Sequence, residues 1–324
     1  MPAKPPFSKT RTTSLKIPRD SENVELNIDG RKVRITNVNK VFWKKLGITK
    51  GDLLQYYADV SKYLLPHIAD RPMVMKRYPN GAESEFFYMK RAPVPRPEWI
   101  ETCEIAHGSG NVIDFPVIQD LASLMWLINL GCIDLNPWYA RQDDYDRPDF
   151  LHFDLDPTPG AEFSHMRNAA MAVHDLLDSF KMPNFAKTTG SRGIHIYVPI
   201  VRGPIQKEVW TIAKTVAQML ADMHPKLLTA EYRKEKRPRK HVLVDYNQNR
   251  WGSTLSSIYS IRPTPLATVS TPVTWKEIAD GVDMDAFRID TVPARLKKVG
   301  DLWKPVLGKK RVDLYSFFNA EDAE

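Results

Sequence analysis

Phe153-Asp154-Leu155-Asp156-Pro157 carries two carboxylates two residues apart. Side chains in a strand repeat every second residue, so Asp154 and Asp156 point to one face while Phe153 and Leu155 anchor the other. Carboxylates this close repel each other. A hard divalent cation such as Mg²⁺ or Mn²⁺ relieves the repulsion through oxygen ligands. Acidic triplets also end plain solvated strands, so the pair gains meaning only from its company. Val242-Leu243-Val244-Asp245 ends a second apolar, β-branched stretch on an aspartate, a candidate third carboxylate.

Three further groups could handle phosphate or bases. Lys187-Thr188-Thr189-Gly190-Ser191-Arg192-Gly193-Ile194-His195 sits between two strand-like stretches. Its glycines, hydroxyls and turn amides suit an anion, and Lys187, Arg192 and His195 add charge or donors. The P-loop spacing is absent. An ordinary hairpin with a polar turn, and a half-buried strand histidine at His195, would explain the same residues. Arg262 follows Tyr259-Ser260-Ile261 at another strand end, where a guanidinium can grip phosphate bidentately or form a surface ion pair. Arg233 to Lys240 holds six Lys or Arg and one Glu, either a solvated loop or a track for a nucleic-acid backbone. Phe86-Phe87 is a candidate stacking platform, or a pair packing into two layers. Lys40 and Lys50 flank Phe42-Trp43 and on their own read as solvated lysines.

The elements that position these residues follow from periodicity. Residues 24–37 alternate apolar and polar around Asp29-Gly30, which predicts a hairpin. Thr49 is placed to cap a helix over 50–68, with Leu53, Leu54, Tyr57, Val60 and Leu64 on its apolar face. Strands are expected at 73–78 and 84–90 around Pro79-Asn80-Gly81, and three prolines make 92–98 an irregular crossing. Asp120 caps a helix to about 130, and further helices fit 163–180 and 204–223. Strands ending at Asp156 and at 184–189, 193–200 and 241–247 interleave with them, giving an α+β (mixed α/β) class with mixed sheets flanked by helices. No Gly- or Ser-rich linker divides the chain, so two fused subdomains with the active-site cleft between them are expected over 24–308. Residues 1–23 are expected as a disordered basic arm and 309–324 as a C-terminal tail, in which Val312, Leu314, Phe317 and Phe318 could pack as a helix.

Composition narrows the function classes. The 324 residues hold two cysteines, Cys103 and Cys132, which excludes a disulfide scaffold and a four-cysteine zinc site. No apolar run approaches the ~20 residues of a membrane span. Met1 to Lys16 has four basic residues and no apolar core, unlike a secretory signal. A cytoplasmic, nucleoid-associated monomer is the expectation. The net charge of +7 is consistent with a polyanionic partner.

Taken together, these blocks resemble the polymerase domain of bacterial ligase D, in the archaeo-eukaryotic primase superfamily. The resemblance runs from about Asp29 to Trp275 and rests on DLDP at 154–157, TTGSRGIH at 188–195, and Asp245 with the following Gln-Asn and Tyr-Ser-Ile-Arg. TNVNK with ITK, KRYPNG, FFYMK and the stretch 267–275 support it in order. It implies a primase-like fold with a central cleft. It implies that Asp154, Asp156 and Asp245 hold two divalent ions, Mn²⁺ or Mg²⁺, and that Asp245 helps activate a primer 3′-hydroxyl. Thr189, Gly190, Arg192, His195, Gln248 and Arg262 would hold the nucleotide. Lys76 and Arg77 would lie near the incoming nucleotide or template, and Phe86 and Phe87 would stack on it. Lys40 and Lys50 would bind the 5′-phosphate downstream of a gap or break. The family usually has serine at Thr189 and often histidine at Asn136, which questions any ion pairing there.

The function implied is a DNA-dependent nucleotidyltransferase that fills short gaps in repair and readily uses ribonucleotides, with gapped or broken DNA and NTPs or dNTPs as substrates. No ligase or nuclease signature accompanies the blocks, as in the stand-alone primase-polymerases that accompany ligase D. Non-homologous end joining with Ku and ligase D is the alternative pathway, and a separate DNA ligase a possible partner. De novo priming is disfavoured by the lack of a zinc-ligand cluster. A D-x-D glycosyltransferase is disfavoured by Asp245 and the 188–195 run. A non-catalytic 5′-phosphate end-binding module is disfavoured by the intact set of three aspartates.

Overall fold

The structure, a computed structural model, describes residues 15–107 and 110–319. β1 (Asn23–Ile28) and β2 (Arg31–Thr36) form the expected hairpin, turned by Asp29 and Gly30, both at positive φ. Alternation puts Leu26, Ile28, Val33 and Ile35 into the core. β3 (Val41–Trp43) and β4 (Ile48–Thr49) lead into α1 (Lys50–Ile68). Thr49 Oγ1 accepts from the Asp52 amide, and the Asp52 carboxylate accepts from the Thr49 amide, a reciprocal cap that fixes the helix start. Leu53, Leu54, Tyr57, Val60 and Leu64 are fully buried, each stabilising by roughly 1.5–3 kcal/mol.

β5 (Met73–Arg77) is the middle strand of a three-stranded antiparallel sheet with β6 (Phe87–Met89) and β9 (Cys132–Pro137). Between them run the hairpin of β7 (Thr102–Ala106) and β8 (Val112–Pro116) and α2 (Leu121–Asn129), capped by Asp120. The short β10 (Ala140–Arg141) and β11 (Asp144–Pro148) then cross to the second half. There β12 (Phe150–Pro157), α3 (Phe163–Ser179), β13 (Phe185–Thr188), β14 (Ile194–Pro199), α4 (Gln206–Met223), β15 (Leu228–Thr229), β16 (Val242–Asp245) and β17 (Pro272–Val273) follow. α5 (Trp275–Asp280), α6 (Val292–Val299) and α7 (Leu314–Asn319) complete the chain.

The second sheet has the order β15-β16-β12-β14-β13-β17, antiparallel except for β15 with β16. Leu151, Phe153 and Leu155 share one hydrophobic core with residues of α3 and α4. The opposite face of β12 meets the first half of the chain. At the seam the buried pair Arg71–Asp149, 2.7 Å apart, ties the two halves together. The mixed α/β architecture expected from the sequence is thus present, with the polar residues of interest between the two sheets.

Two boundaries differ from expectation. The strand expected over 84–90 is regular only at Phe87–Met89, because Phe86 leaves the sheet to pack its ring 5.3 Å from Tyr78. Residues 15–22, assigned to a disordered arm, lie against α1: Ile17 is buried and its amide donates to Gln55. The start of the tail is packed on the domain, in line with the helix suggested for its apolar residues. Val312 bridges Ile200, and Leu314 is fully buried. The rest of the arm, residues 1–14, and the side chains of Phe317 and Phe318 lie outside the described residues.

Candidate active site

Strand register assembles the site. Asp154 on β12 faces Asp245 on β16 and, on its other side, His195 on β14, which faces Lys187 on β13. One cross-strand row therefore reads Asp245–Asp154–His195–Lys187. Asp156, two residues along β12, joins the same face. Ligand oxygens of Asp154, Asp156 and Asp245 lie within 4.8 Å of one another.

The carboxylate charges at this row are only partly offset, by Lys187 and Arg262 at Asp154 and by Arg237 and Arg192 at Asp156. Burial, then Asp245, pushes the Asp154 carboxyl up to about 7, and burial, then Asp154 and Asp245, does the same for Asp156. Asp154 Oδ1 is buried without a hydrogen-bond partner. His195 Nε2 sits 3.2 Å from it but outside hydrogen-bonding alignment, so the contact is one of charge and dipole. Three converging oxygen donors and an orphaned buried oxygen fit a hard divalent cation. Asp245 is steadied by the Asn247 amide at 2.8 Å and by Gln248 Nε2 at 3.3 Å.

The 188–193 turn closes the other side. Gly190 has φ +68°, and a Cβ there would meet Arg262 Cγ at 2.6 Å and the Ser270 amide nitrogen at 2.9 Å, so no side chain fits. Thr189 Oγ1 accepts from the Ser191 and Gly193 amides, both at 3.1 Å, which shapes the loop and leaves the hydroxyl hydrogen free to donate. Arg262 Nη1 donates to Thr189 O at 2.6 Å, and its Nε lies 3.1 Å from the Asp134 carboxylate, an ion pair that holds the guanidinium at the cleft. Arg192 is exposed beside Asp156, whose carboxyl it counteracts.

The chain matches a known family: the model of the LigD primase-polymerase domain covers residues 49–303. The chain belongs to this family. The multifunctional non-homologous end joining protein LigD of Mycolicibacterium smegmatis is 34% identical over 85% of this chain and 36% of its own length. The bifunctional non-homologous end joining protein LigD of Bacillus subtilis is 32% identical over 83% of this chain and 43% of its own length. The chain thus spans less than half of these relatives. The polymerase domain of Mycobacterium tuberculosis ligase D, solved in complex with DNA, superposes with a TM-score of 0.80 at 31% identity. It covers 85% of this chain and 98% of that one.

Alternation along β5 separates the remaining residues of this LigD-type site. Lys76 is half-buried, with its ammonium 4.1 Å over the Phe86 ring and within electrostatic reach of Asp134 and Arg262. Arg77 points the other way: its guanidinium lies 5.2 Å over Phe87, and its charge reaches Lys50. Both phenylalanines are close to half exposed. The structure therefore groups Lys76 and Phe86 with Asp134 and Arg262, and Arg77 and Phe87 with the lysines.

Lys50 is 5% exposed and donates to Thr36 O at 2.6 Å and Asn129 Oδ1 at 2.7 Å. Burial, then Lys40 and Arg77, pushes its pKa down to about 8. Lys40 is exposed, with Nζ on Pro79 O and Asn80. Neither ammonium is hydrogen-bonded to a carboxylate, so Lys40, Lys50 and Arg77 form a cluster of like charge.

Asp134 and Lys187 carry roles that sequence reasoning missed. Asp134, 2% exposed between Ile133 and Leu135, also accepts from Ser256 at 2.8 Å. Lys187 was expected to help hold an anion. It is fully buried behind His195 and cannot reach one. Asn136 makes a local bond to Asp134 O at 3.1 Å and adds no charge.

Proposed function

We propose that this LigD-type polymerase domain is a template-directed, DNA-dependent nucleotidyltransferase that fills short gaps in DNA, anchored on the downstream 5′-phosphate. The carrying observation is the row of aspartates facing the glycine turn and Arg262. The first offers three carboxylates to divalent cations, and the second offers donors to a triphosphate. Asp154, Asp156 and Asp245 would hold the ions, Mn²⁺ or Mg²⁺, which when bound supply Lewis acidity at the reacting oxygens. Asp245, steadied by Asn247 and Gln248, orients the primer 3′-hydroxyl. Arg262, His195, Arg192 and Thr189 hold the triphosphate in line with it. Lys76 and Phe86 support the nucleotide or template.

The like-charged cluster of Lys40, Lys50 and Arg77 supports the 5′-phosphate part of this reading. An anion there relieves repulsion, and carbonyl-bound ammonium groups can turn to it without breaking an ion pair. On this reading Arg77 serves the downstream side rather than the incoming nucleotide or template.

Primer extension on a one-nucleotide gap tests the proposal, with 5′-phosphate against 5′-hydroxyl, ribonucleotide against deoxyribonucleotide, and manganese against magnesium. Matched addition favoured by the phosphate and tolerant of ribonucleotides is expected. Equal extension with and without the phosphate would overturn the gap-anchoring part. The relatives' end-joining names support a second pathway, synthesis at broken ends with Ku and a ligase. Extension stimulated by Ku on paired ends, but not on gaps, would favour it.

A further inference from the structure

Lys187 is enclosed without a carboxylate bonded to it, and burial, then the Arg262 charge, pushes its pKa well down, against the pull of Asp154 and Asp134. Nζ lies 2.6 Å from His195 Nδ1, 2.9 Å from Ser256 O and 2.7 Å from Ser270 Oγ. Ser270 Oγ donates its own hydrogen to Thr188 O at 2.8 Å, so toward Lys187 it accepts. Ser256 O accepts by nature. Two of the Nζ hydrogens are therefore committed to fixed oxygens. In the third contact either nitrogen can be the donor; the Asp154 carboxylate facing Nε2 favours the ring proton there, which leaves Nδ1 a lone pair to receive from Nζ.

This bond settles which way the ring faces. His195 stands between Lys187 on β13 and Asp154 on β12 in one register row. With Nδ1 held from behind, Nε2 is the nitrogen left to face Asp154, 3.2 Å away, and the cleft. A ring turned over would direct carbon atoms at both neighbours.

The fold by itself gains little from the charge. Burying an ammonium among neutral partners carries a desolvation cost that its hydrogen bonds must offset. A methionine has a stem of similar length and would fill the same space.

We propose that Lys187 is the positioning residue of the nucleotide site. It clamps His195 through Nδ1, so that the ring carries its proton on Nε2 and presents that N–H to the triphosphate. Lys187 touches neither substrate nor ion and acts only through His195. The inference rests on the nucleotidyl-transfer reading for the role of His195, but the clamp itself is measurable without turnover.

Two readouts on the full chain separate the clamp from that reading. The first is the ¹⁵N resonances of the His195 ring without metal. The wild type is expected to show an unprotonated Nδ1 and a protonated Nε2. Lys187→Met is expected to show mixed tautomers. An unchanged tautomer in Lys187→Met, or a protonated Nδ1 in the wild type, would overturn the clamp whatever the enzyme does.

The second readout is the nucleotide KM in a double-mutant cycle. Lys187→Met alone should raise KM about 10- to 100-fold, the size of loss seen when a metal-bound histidine loses the partner that orients it, with a much smaller change in kcat. In a His195→Asn background it should add nothing. Additive losses would show that Lys187 does not act through His195 and would overturn the proposal. Ser270→Ala, which removes one of the two fixed anchors, is the variant to use if Lys187→Met does not fold. It should shift the His195 tautomer in the same direction, and an unshifted tautomer there counts against the clamp.

Discussion

Replacing Asp154 by asparagine should make the metal-free protein more stable while removing its activity. Asp154 is 7% exposed, has an orphaned Oδ1 and shares its site with two other carboxylates. Burial and Asp245 raise its pKa from 3.8 to about 7 in the folded protein. A group whose folded pKa is raised binds more protons folded than unfolded. The stability it contributes is therefore complete at low pH and is lost as pH rises from about 4 to about 7. Above that window the folded chain carries the full cost of the buried charge. The shift sets a ceiling of about 4 kcal/mol, and coupling to Asp245 reduces it to roughly 1–3 kcal/mol.

At about 2 °C per kcal/mol for a chain this long, Asp154→Asn should unfold a few degrees above the wild type at pH 8 in a chelator. At pH 5 the difference should be less than half as large, and it should nearly vanish below about pH 4, where the carboxyl is protonated in the unfolded chain as well. Saturating Mn²⁺ should raise the wild-type midpoint and leave the variant nearly unmoved. A variant less stable than the wild type at pH 8, or a difference that does not change with pH, would refute the view that the site stores charge repulsion for a cation.

The downstream cluster predicts that Lys40→Ala combined with Lys50→Met erases the preference for a phosphorylated gap, about tenfold or more in Kd, but spares basal extension. Equal losses on phosphorylated and unphosphorylated gaps, read by fluorescence anisotropy and primer extension, would sink that assignment. Gly190→Ala should raise the nucleotide KM at least about tenfold and cost about 1–3 kcal/mol of stability, since the backbone is left-handed there and the new methyl meets Arg262 and Ser270; wild-type KM and melting temperature would contradict the loop geometry. Binding to gapped DNA should weaken steeply with salt, by about 10³ or more between 50 and 200 mM if some six phosphates are contacted. A flat titration would count against the basic surface.

Much of the frame could be read from local chemistry. Thr49 and Asp52 cap each other, so the start of α1 follows from four residues of sequence. Asp154 and Asp156 share a face because strand side chains alternate, and Asp245 closes an apolar run short enough to be a strand. What could not be read depends on how distant strands align. Lys187 and His195 are neighbours only through the β13–β14 register, and nothing local marks Lys187 as buried. Asp134 looks like an interruption in an apolar strand until Arg262, far along the chain, is brought against it. Alternation separates Lys76 from Arg77, but which side holds the aspartates and which the lysines depends on the packing of the first sheet on α1 and α2. The arm's edge was misplaced because Leu15 and Ile17 make too short an apolar alternation to mark an element, and their anchor, Gln55, lies on the helix they pack against.

The most direct test of the central claim is templated nucleotide addition on a gapped duplex by the wild type, Asp154→Asn and Asp245→Asn, with DNA affinity measured on the same preparations. Divalent-cation-dependent addition of the matched nucleotide by the wild type is expected, lost in both variants while DNA binding is kept. Tight DNA binding by a wild type that adds no nucleotide with either metal would contradict the account and leave an end-binding protein.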